Sequence, residues 1–245
     1  MWNLVAMVRV LLALPVIAFG LLISPFIGLM SEHVFSNIAR TWYRSLLAII
    51  GVRCRFSGES IGEVTLVVSN HISWADILVI GVHWPFVFLA MKDVANWPVL
   101  GWLARRAGTL FIERGSGAHH AIQQVSKVLA SGRHVVLFPE GKTTTGTTVR
   151  RFHSRIFQAA VEAGVAVQPI GIFYHDSGQP RQHGSRITFA GEAGLVASVW
   201  RTLAGPPVNA EVRVFEPIGP HGDRHHLATM AHVRVREHIE FTLNS

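Results

Sequence analysis

The N-terminal part of this chain contains a long apolar stretch: from Val10 to Ser31 no side chain carries a charge. A straight α-helix of that length extends about 33 Å, close to the thickness of the hydrocarbon core of a bilayer. Pro15 and Pro25 interrupt the stretch, and each removes a backbone hydrogen-bond donor. Three interpretations are open: a cleaved signal peptide, a single membrane-spanning helix, or the first helix of a pair lying in one leaflet.

The following segment favours the helix pair. From about Val34 to Ile50, apolar side chains recur at helical spacing: Phe35, Ile38, Trp42, Leu46 and Ile49. Arg40 and Arg44 lie on the polar side of that helix, as in an interfacial helix. With Arg9 they flank both ends of the first apolar stretch, and if all three are cytoplasmic a one-way crossing is disfavoured. We therefore expect residues 1–50 to form membrane-associated helices and residues 51–245 to form a separate domain.

The composition limits the partners of such a chain. It has 22 Lys and Arg against 15 Asp and Glu, for a formal charge of +7, and 49% of its residues are hydrophobic. A basic, apolar protein suits nucleic acid or an anionic membrane surface. We expect no nucleic-acid partner, because the basic residues are scattered and no aromatic-basic RNA-binding motif is present. The single cysteine, Cys54, excludes an internal disulfide and a thiolate zinc cluster.

After Gly51 short β-type runs alternate with helical segments, which predicts an α/β sheet with covered faces. The predicted strands are Val52–Ser57, Val64–Ser69, Val87–Met91, His134–Phe138, Val165–Ile172, Arg186–Ala190 and Ala210–Val214. The predicted helices are Trp74–Val82, Ala118–Ala130, Phe152–Ala163 and a final helix capped by Asp223.

Two motifs that suggest other enzymes do not fit this pattern. Residues 58–62 match the G-x-S-x-G nucleophile motif, but a strand rather than a helix follows them, so we predict a hairpin turn. Gly141-Lys142-Thr143 resembles the end of a phosphate-binding loop, yet Val136 stands where its first glycine belongs.

The most informative segment is Ser69-Asn70-His71-Ile72-Ser73-Trp74-Ala75-Asp76, which joins an apolar strand to a helix. Open α/β sheets place ligands at such a junction. His71 and Asp76 meet only if His71 lies in the turn and Asp76 in the first helical turn. Asp76 would then orient the imidazole as a general base. The alternative is that these polar residues only cap the helix.

Two further segments end apolar runs with chemically useful residues. Phe138-Pro139-Glu140-Gly141-Lys142-Thr143 places a carboxylate and a glycine turn after a strand. The run Gly108–Arg114 ends in an arginine, which suits phosphate or marks a solvated strand end.

Together these residues resemble the PlsC-type glycerolipid acyltransferases, which include the 1-acylglycerol-3-phosphate acyltransferases. Three blocks of that family are matched in order: N-H-x-x-x-x-D, G-x-x-F-I-x-R and F-P-E-G. A fourth block, a proline within a β run, corresponds to Pro169. The resemblance implies a mixed sheet flanked by helices, as in glycerol-3-phosphate acyltransferase, with N-terminal helices on a membrane.

The resemblance implies O-acyl transfer from acyl-CoA or acyl-ACP to a lysolipid hydroxyl, with no metal or bound cofactor. Its catalytic residues would be His71 and Asp76, and its substrate-binding residues Asn70, Arg114, Glu140, Gly141, Lys142 and Thr143. The enzyme would act in membrane lipid synthesis at the cytoplasmic face of the inner membrane. The alternative from another class is a non-catalytic lipid-binding protein of the same fold.

One departure bears on the acceptor. Phosphatidate-forming members of the family usually continue E-G-T-R-S, whereas Lys142-Thr143-Thr144 follow Glu140-Gly141 here. Thr143 thus replaces the arginine expected to hold the acceptor phosphate, and Lys142 supplies a point charge rather than a bidentate fork. The acceptor is therefore either 1-acylglycerol-3-phosphate or another lysolipid, such as lyso-ornithine lipid, whose branch the threonine run resembles more closely.

Overall fold

A computed structural model describes residues 2–83, 86–113, 118–181, 184–190 and 194–244. Its strands are β1 (Val52–Gly58), β2 (Thr65–Ser69), β3 (Val87–Met91), β4 (Leu110–Ile112), β5 (Val135–Leu137), β6 (Ala166–Asp176) and β7 (Val208–Val214). Across these described ranges they form one seven-stranded sheet in the order β1-β7-β6-β2-β5-β3-β4. Strands β6, β2, β5, β3 and β4 are parallel, whereas β7 is antiparallel to β6 and parallel to β1. The predicted mixed α/β sheet is confirmed.

Helices cover both faces of this sheet. They are α1 (Trp2–Ile23), α2 (Glu32–Ile50), α3 (Asp76–Gly81), α4 (Lys92–Ala95), α5 (Leu100–Arg106), α6 (Ala118–Ala130), α7 (Gln158–Ala163), α8 (Leu195–Leu203) and α9 (Arg224–Asn244). Successive residues of β2 alternate between two cores: Val67 packs on the side of α2 and α3, and Leu66 and Val68 pack on the side of α6 and α9. Because both faces of β2 are buried, its sequence is apolar almost throughout.

The N-terminal helices α1 and α2 pack against each other and run antiparallel. The indole N–H of Trp42 donates to the Val16 carbonyl at 2.8 Å, and its ring lies over Gly20, where a Cβ atom would come within 2.9 Å of Nε1. Near the other end of α1, Arg9 donates to the carbonyls of Leu203 and Gly205. The predicted helix pair is therefore present and is attached to the sheet domain. The boundary after residue 50 stays a prediction.

The outer surface of α1 is apolar. Trp2–Leu29, which is α1 with the 3₁₀ turn Ser24–Leu29, is the one stretch among the described residues that is long and apolar enough to cross a membrane. Leu11, Leu22 and Leu29 are 65%, 74% and 85% exposed. The surface continues onto α5, whose Trp102 donates to the Ser24 hydroxyl at 2.8 Å. Apolar surface of this extent on a folded chain indicates a contact with lipid or with protein.

Three predictions about elements were wrong. Residues 186–190 form a turn and irregular chain rather than a strand, because their polar groups bond to loops: the Phe189 N–H donates to Ile72 O, and Ile187 O accepts the Ser73 hydroxyl. Residues 58–62 do not close a hairpin, because β1 and β2 are not neighbours in the sheet. The helix predicted over 152–163 is a 3₁₀ turn, Ser154–Phe157, followed by α7.

Candidate active site

The candidate site lies in the loop between β2 and α3. Strand β2 ends at Ser69, and the loop leads to α3, whose first residue is Asp76. Strand β5 is the parallel neighbour of β2, and the Phe138–Gly146 segment follows it. The carboxyl ends of parallel strands lie at one edge of a sheet. The N-H-x-x-x-x-D block and the F-P-E-G block therefore meet there.

The structure brings His71 and Asp76 together. Nδ1 of His71 lies 2.7 Å from Oδ2 of Asp76. The same oxygen accepts the backbone N–H groups of Ile72 at 2.8 Å and Ser73 at 3.0 Å. Asp76 therefore folds the loop back over the start of its own helix, which is why two residues five apart can touch. Its other oxygen, Oδ1, accepts the hydroxyl of Tyr174 at 2.8 Å, and the residue is 0% exposed.

The His71 ring is held from several sides. It stacks on Phe138, with ring centroids 4.1 Å apart and an angle of 15° between the planes. Its backbone N–H donates to Oε1 of Glu140 at 2.7 Å, and its carbonyl accepts the Thr144 N–H at 2.8 Å. The side chain remains 23% exposed. With Nδ1 on Asp76, Nε2 is the ring nitrogen available to a substrate, since no described residue bonds to it.

Glu140 supports the loop through its carboxylate. Besides the His71 N–H, it accepts the Arg150 N–H on Oε2 at 2.8 Å, and it is only 3% exposed. Burial raises the pKa of Glu140 to about 7, although the two backbone hydrogen bonds act in the opposite direction. Both carboxylate oxygens thus accept backbone N–H groups.

Asn70 also bonds within the fold. Its Nδ2 donates to the Ile172 carbonyl and its Oδ1 accepts the Ile172 N–H, each at 2.8 Å. Because β2 pairs with β6 up to Ser69 and Ile170, the Asn70 amide takes the place of the next residue of that ladder. It therefore fixes where the chain leaves β2, one residue before His71.

The remaining predicted site residues lie in or near the turn after β5. Gly141 has a φ of +71°, which favours glycine, and it is exposed, as is Lys142. The Thr143 hydroxyl donates to the carbonyl of Phe189. Arg114 lies outside the described residues. Among the residues that the structure describes, no group of three His, Cys, Asp or Glu side chains is placed to hold a metal ion.

Sequence reasoning missed two long-range contacts of this loop. Tyr174 follows Asp76 by 98 positions and lies in β6, beyond the predicted end of that strand at Ile172. Ser73 is buried and its hydroxyl donates to the Ile187 carbonyl, which holds the loop against residues 184–190. No local pattern marks either contact, because both partners come from distant segments.

Comparison with known proteins assigns this fold and site to a class. The structure is similar to the crystal structure of the 1-acyl-sn-glycerophosphate (LPA) acyltransferase, PlsC, from Thermotoga maritima, with a TM-score of 0.73 and 18% identity over 98% of this chain and 95% of that one. This similarity shows that the two chains share a fold. The family model described as Acyltransferase matches residues 53–173, which include His71, Asp76 and Glu140. This match, over just under half of the chain, indicates the acyltransferase class.

Sequence relatives narrow the class. The chain is 41% identical to a lyso-ornithine lipid O-acyltransferase from Pseudomonas aeruginosa over 82% of its own length and 77% of that protein. It is 34% identical to a 1-acyl-sn-glycerol-3-phosphate acyltransferase from Neisseria gonorrhoeae over 57% of its length and 54% of that protein. The chain belongs to the PlsC-type acyltransferases.

Proposed function

We propose that this enzyme transfers a fatty acyl group from a thioester, acyl-CoA or acyl-ACP, to the hydroxyl of a lysolipid in membrane lipid synthesis. The observation that carries the proposal is the His71–Asp76 pair. A partly exposed imidazole is bonded through Nδ1 to a fully buried carboxylate, and no described residue bonds to its Nε2, at the carboxyl end of a parallel strand. This is the arrangement of an oriented general base.

The reaction needs two proton transfers, one from the lysolipid hydroxyl to His71 and one from His71 to the departing thiolate. Nε2 of His71 takes the proton of the lysolipid hydroxyl as its oxygen attacks the thioester carbonyl carbon. The tetrahedral intermediate then collapses, the C–S bond breaks, and the imidazolium returns the proton to the departing thiolate. Asp76 stabilises the imidazolium between these steps. General-base assistance of this kind contributes about 10²–10⁴-fold. The mechanism requires no metal and no bound cofactor.

Lyso-ornithine lipid is the acceptor that we propose. The relative with the higher identity over the longer part of the chain carries that name. In the turn after Glu140, Thr143 stands where an arginine for an acceptor phosphate is expected, and its hydroxyl already bonds to Phe189 O. The exposed Lys142 offers a single charge, which does not replace a bidentate phosphate contact. The second candidate acceptor, 1-acylglycerol-3-phosphate, is favoured by the Neisseria relative.

The membrane is the proposed source of the acceptor. The exposed apolar surface of α1 and the 3₁₀ turn after it suits burial in a leaflet, and the basic excess of the chain suits anionic head groups. We place the enzyme on the cytoplasmic face of the inner membrane, where thioester donors are made. Arg150, Arg151 and Arg155 are exposed after the turn and are available to donor phosphates.

The acceptor is tested by offering purified full-length enzyme labelled acyl-CoA, or acyl-ACP, with lyso-ornithine lipid or lysophosphatidate. We expect labelled ornithine lipid as the main product. Exclusive formation of phosphatidate would contradict the proposed acceptor and leave the reaction class intact.

The general base is tested with His71→Ala. We expect this variant to lose acyl transfer while still floating with anionic vesicles, because the substitution lies away from α1. His119→Ala is the matched control: His119 is exposed on α6 and bonds only to Gln123 among described residues. Turnover near the wild-type rate in folded His71→Ala would refute the mechanism.

A further inference from the structure

The second oxygen of Asp76 has a partner that the proposed mechanism does not use. Oδ2 carries the bonds from His71, Ile72 and Ser73. Within the described residues, the Tyr174 hydroxyl is the only hydrogen-bond partner of Oδ1, at 2.8 Å. Since Asp76 is 0% exposed, that oxygen does not face bulk solvent. A buried carboxylate oxygen without a donor is costly, so this single bond matters to the charge of Asp76.

Tyr174 is suited to act only as a donor. It lies in β6, directly beside the loop, and is 2% exposed. Burial, and next the negative charge of Asp76, raise the pKa of Tyr174 well above its ordinary value. The hydroxyl therefore keeps its proton at neutral pH.

We propose that Tyr174 is a positioning residue of the His71–Asp76 pair, whose hydroxyl holds Oδ1 of Asp76 and thereby sets the pH above which His71 can accept a proton. This proposal rests on the proposed function, because it assigns His71 the role of general base.

The direction of the effect follows from where the hydrogen bond is made. A donor to the carboxylate stabilises its negative charge without protonating it. Removing that donor raises the affinity of the coupled pair for a proton, whichever of the two side chains carries it. The enzyme without the Tyr174 hydroxyl then needs a higher pH to free the base.

Other ionisable groups surround the pair. Glu140, from the turn after β5, interacts with both His71 and Asp76, and it has a pKa of about 7. Cys54, from β1, interacts with Tyr174, and burial raises the pKa of its thiol to about 11. Tyr174→Phe alters neither of these side chains, and NMR titration of the His71 ring distinguishes a shift at His71 from a shift at Glu140.

The test compares the pH dependence of kcat/KM in wild type and Tyr174→Phe, using the full chain with lysolipid and acyl donor. We expect the acid limb of the kcat/KM profile to move to higher pH by about one unit in Tyr174→Phe. At a fixed pH on that limb this is about a tenfold loss of kcat/KM. The plateau at high pH should be retained. The matched control is Tyr43→Phe, in α2, where Tyr43 packs against Gly81 and is not among the hydrogen-bond partners of Asp76 that the structure describes.

A second variant is expected to shift the acid limb of the kcat/KM profile in the opposite direction. The chain has 2 tyrosines, so the Tyr43→Phe variant grown with 3-fluorotyrosine is labelled at Tyr174 alone. The fluorinated phenol is a stronger donor, and we expect the acid limb to move to lower pH. Opposite shifts from a removed and a strengthened hydroxyl do not arise from packing. This labelled protein also carries the test if Tyr174→Phe does not fold.

The outcomes separate the two proposals. An unmoved acid limb, with or without a lower plateau or stability, would show that Tyr174 is only a structural residue and would overturn the inference. Titration of the His71 ring by NMR, assigned with His71→Ala, measures the same shift without turnover. If His71→Ala kept its acyl transfer, the proposed mechanism would fail. An NMR shift in Tyr174→Phe would still show that Tyr174 controls the protonation of His71.

Discussion

Asp76→Asn separates the charge of Asp76 from its hydrogen bonds. In this variant the amide oxygen can take the place of Oδ2 and accept from His71, Ile72 and Ser73. The amide nitrogen then faces Tyr174, whose hydroxyl oxygen is able to accept a bond where it donated one before. The loop keeps its shape, and the tautomer of His71 is kept as well. What is lost is the negative charge beside the imidazolium.

The size of the loss follows from the geometry. With Nδ1 and Oδ2 at 2.7 Å, the charge centres of the two groups are about 4 Å apart, and at an effective dielectric constant of about 20 their attraction is about 4 kcal/mol. A barrier raised by that amount corresponds to about a 10³-fold slower reaction. We expect kcat of Asp76→Asn to fall by about that factor, and its free energy of unfolding to stay within about 1 kcal/mol of wild type.

The assay is single-turnover acyl transfer at saturating lysolipid, with denaturant unfolding of the same preparations. Asp76→Ala provides the contrast, because it leaves four donors without an acceptor and should cost about 3–5 kcal/mol of stability. A folded Asp76→Asn enzyme that turns over within tenfold of wild type would refute the role of this charge in catalysis.

Two further substitutions test the supports of the loop. Asn70→Ala leaves the N–H and the C=O of Ile172 without their side-chain partner, so we expect a loss of about 2–4 kcal/mol in the free energy of unfolding, and a change below 0.5 kcal/mol would speak against it. Glu140→Gln should lower kcat, because its amide NH₂ must face one of two backbone N–H groups. The pKa of Glu140 is raised from 4.5 to about 7, so between these pH values the folded protein holds a proton that the unfolded protein has released. The free energy of unfolding of the wild type therefore falls as the pH rises from 4.5 to about 7. The melting temperature of Glu140→Gln relative to wild type should therefore increase between pH 5 and pH 8, and a constant difference would contradict this assignment.

The elements that could be predicted are those with strong local patterns. Helix α6 and strand β3 have the predicted bounds. Helix α6 has a regular apolar spacing and is followed by the glycine that ends it, and β3 is an uninterrupted apolar run. Helix α9 begins after Asp223, whose carboxylate accepts the N–H groups of His225 and His226, as a capping residue does. The strand predicted at residues 186–190 was wrong because an apolar β-type run also suits a loop when neighbouring loops satisfy its backbone.

The sequence by itself determined which residues stand at the centre of the site. Its pattern placed His71 and Asp76 after one apolar strand and Glu140 after another, and it left open whether His71 and Asp76 meet or only cap the helix. Those contacts depend on local structure and on the parallel direction of the strands.

Only the tertiary structure decided what holds the pair in place. Tyr174 and Ile172 reach the loop because β6 lies next to β2, although the bonded residues are 98 and 102 positions apart. The order of strands in a sheet depends on how the long connections between the strands close. Local hydrophobic periodicity does not encode that order. The same packing turned Asn70 and Glu140 inward, where their side chains bond to backbone groups, including the N–H of His71.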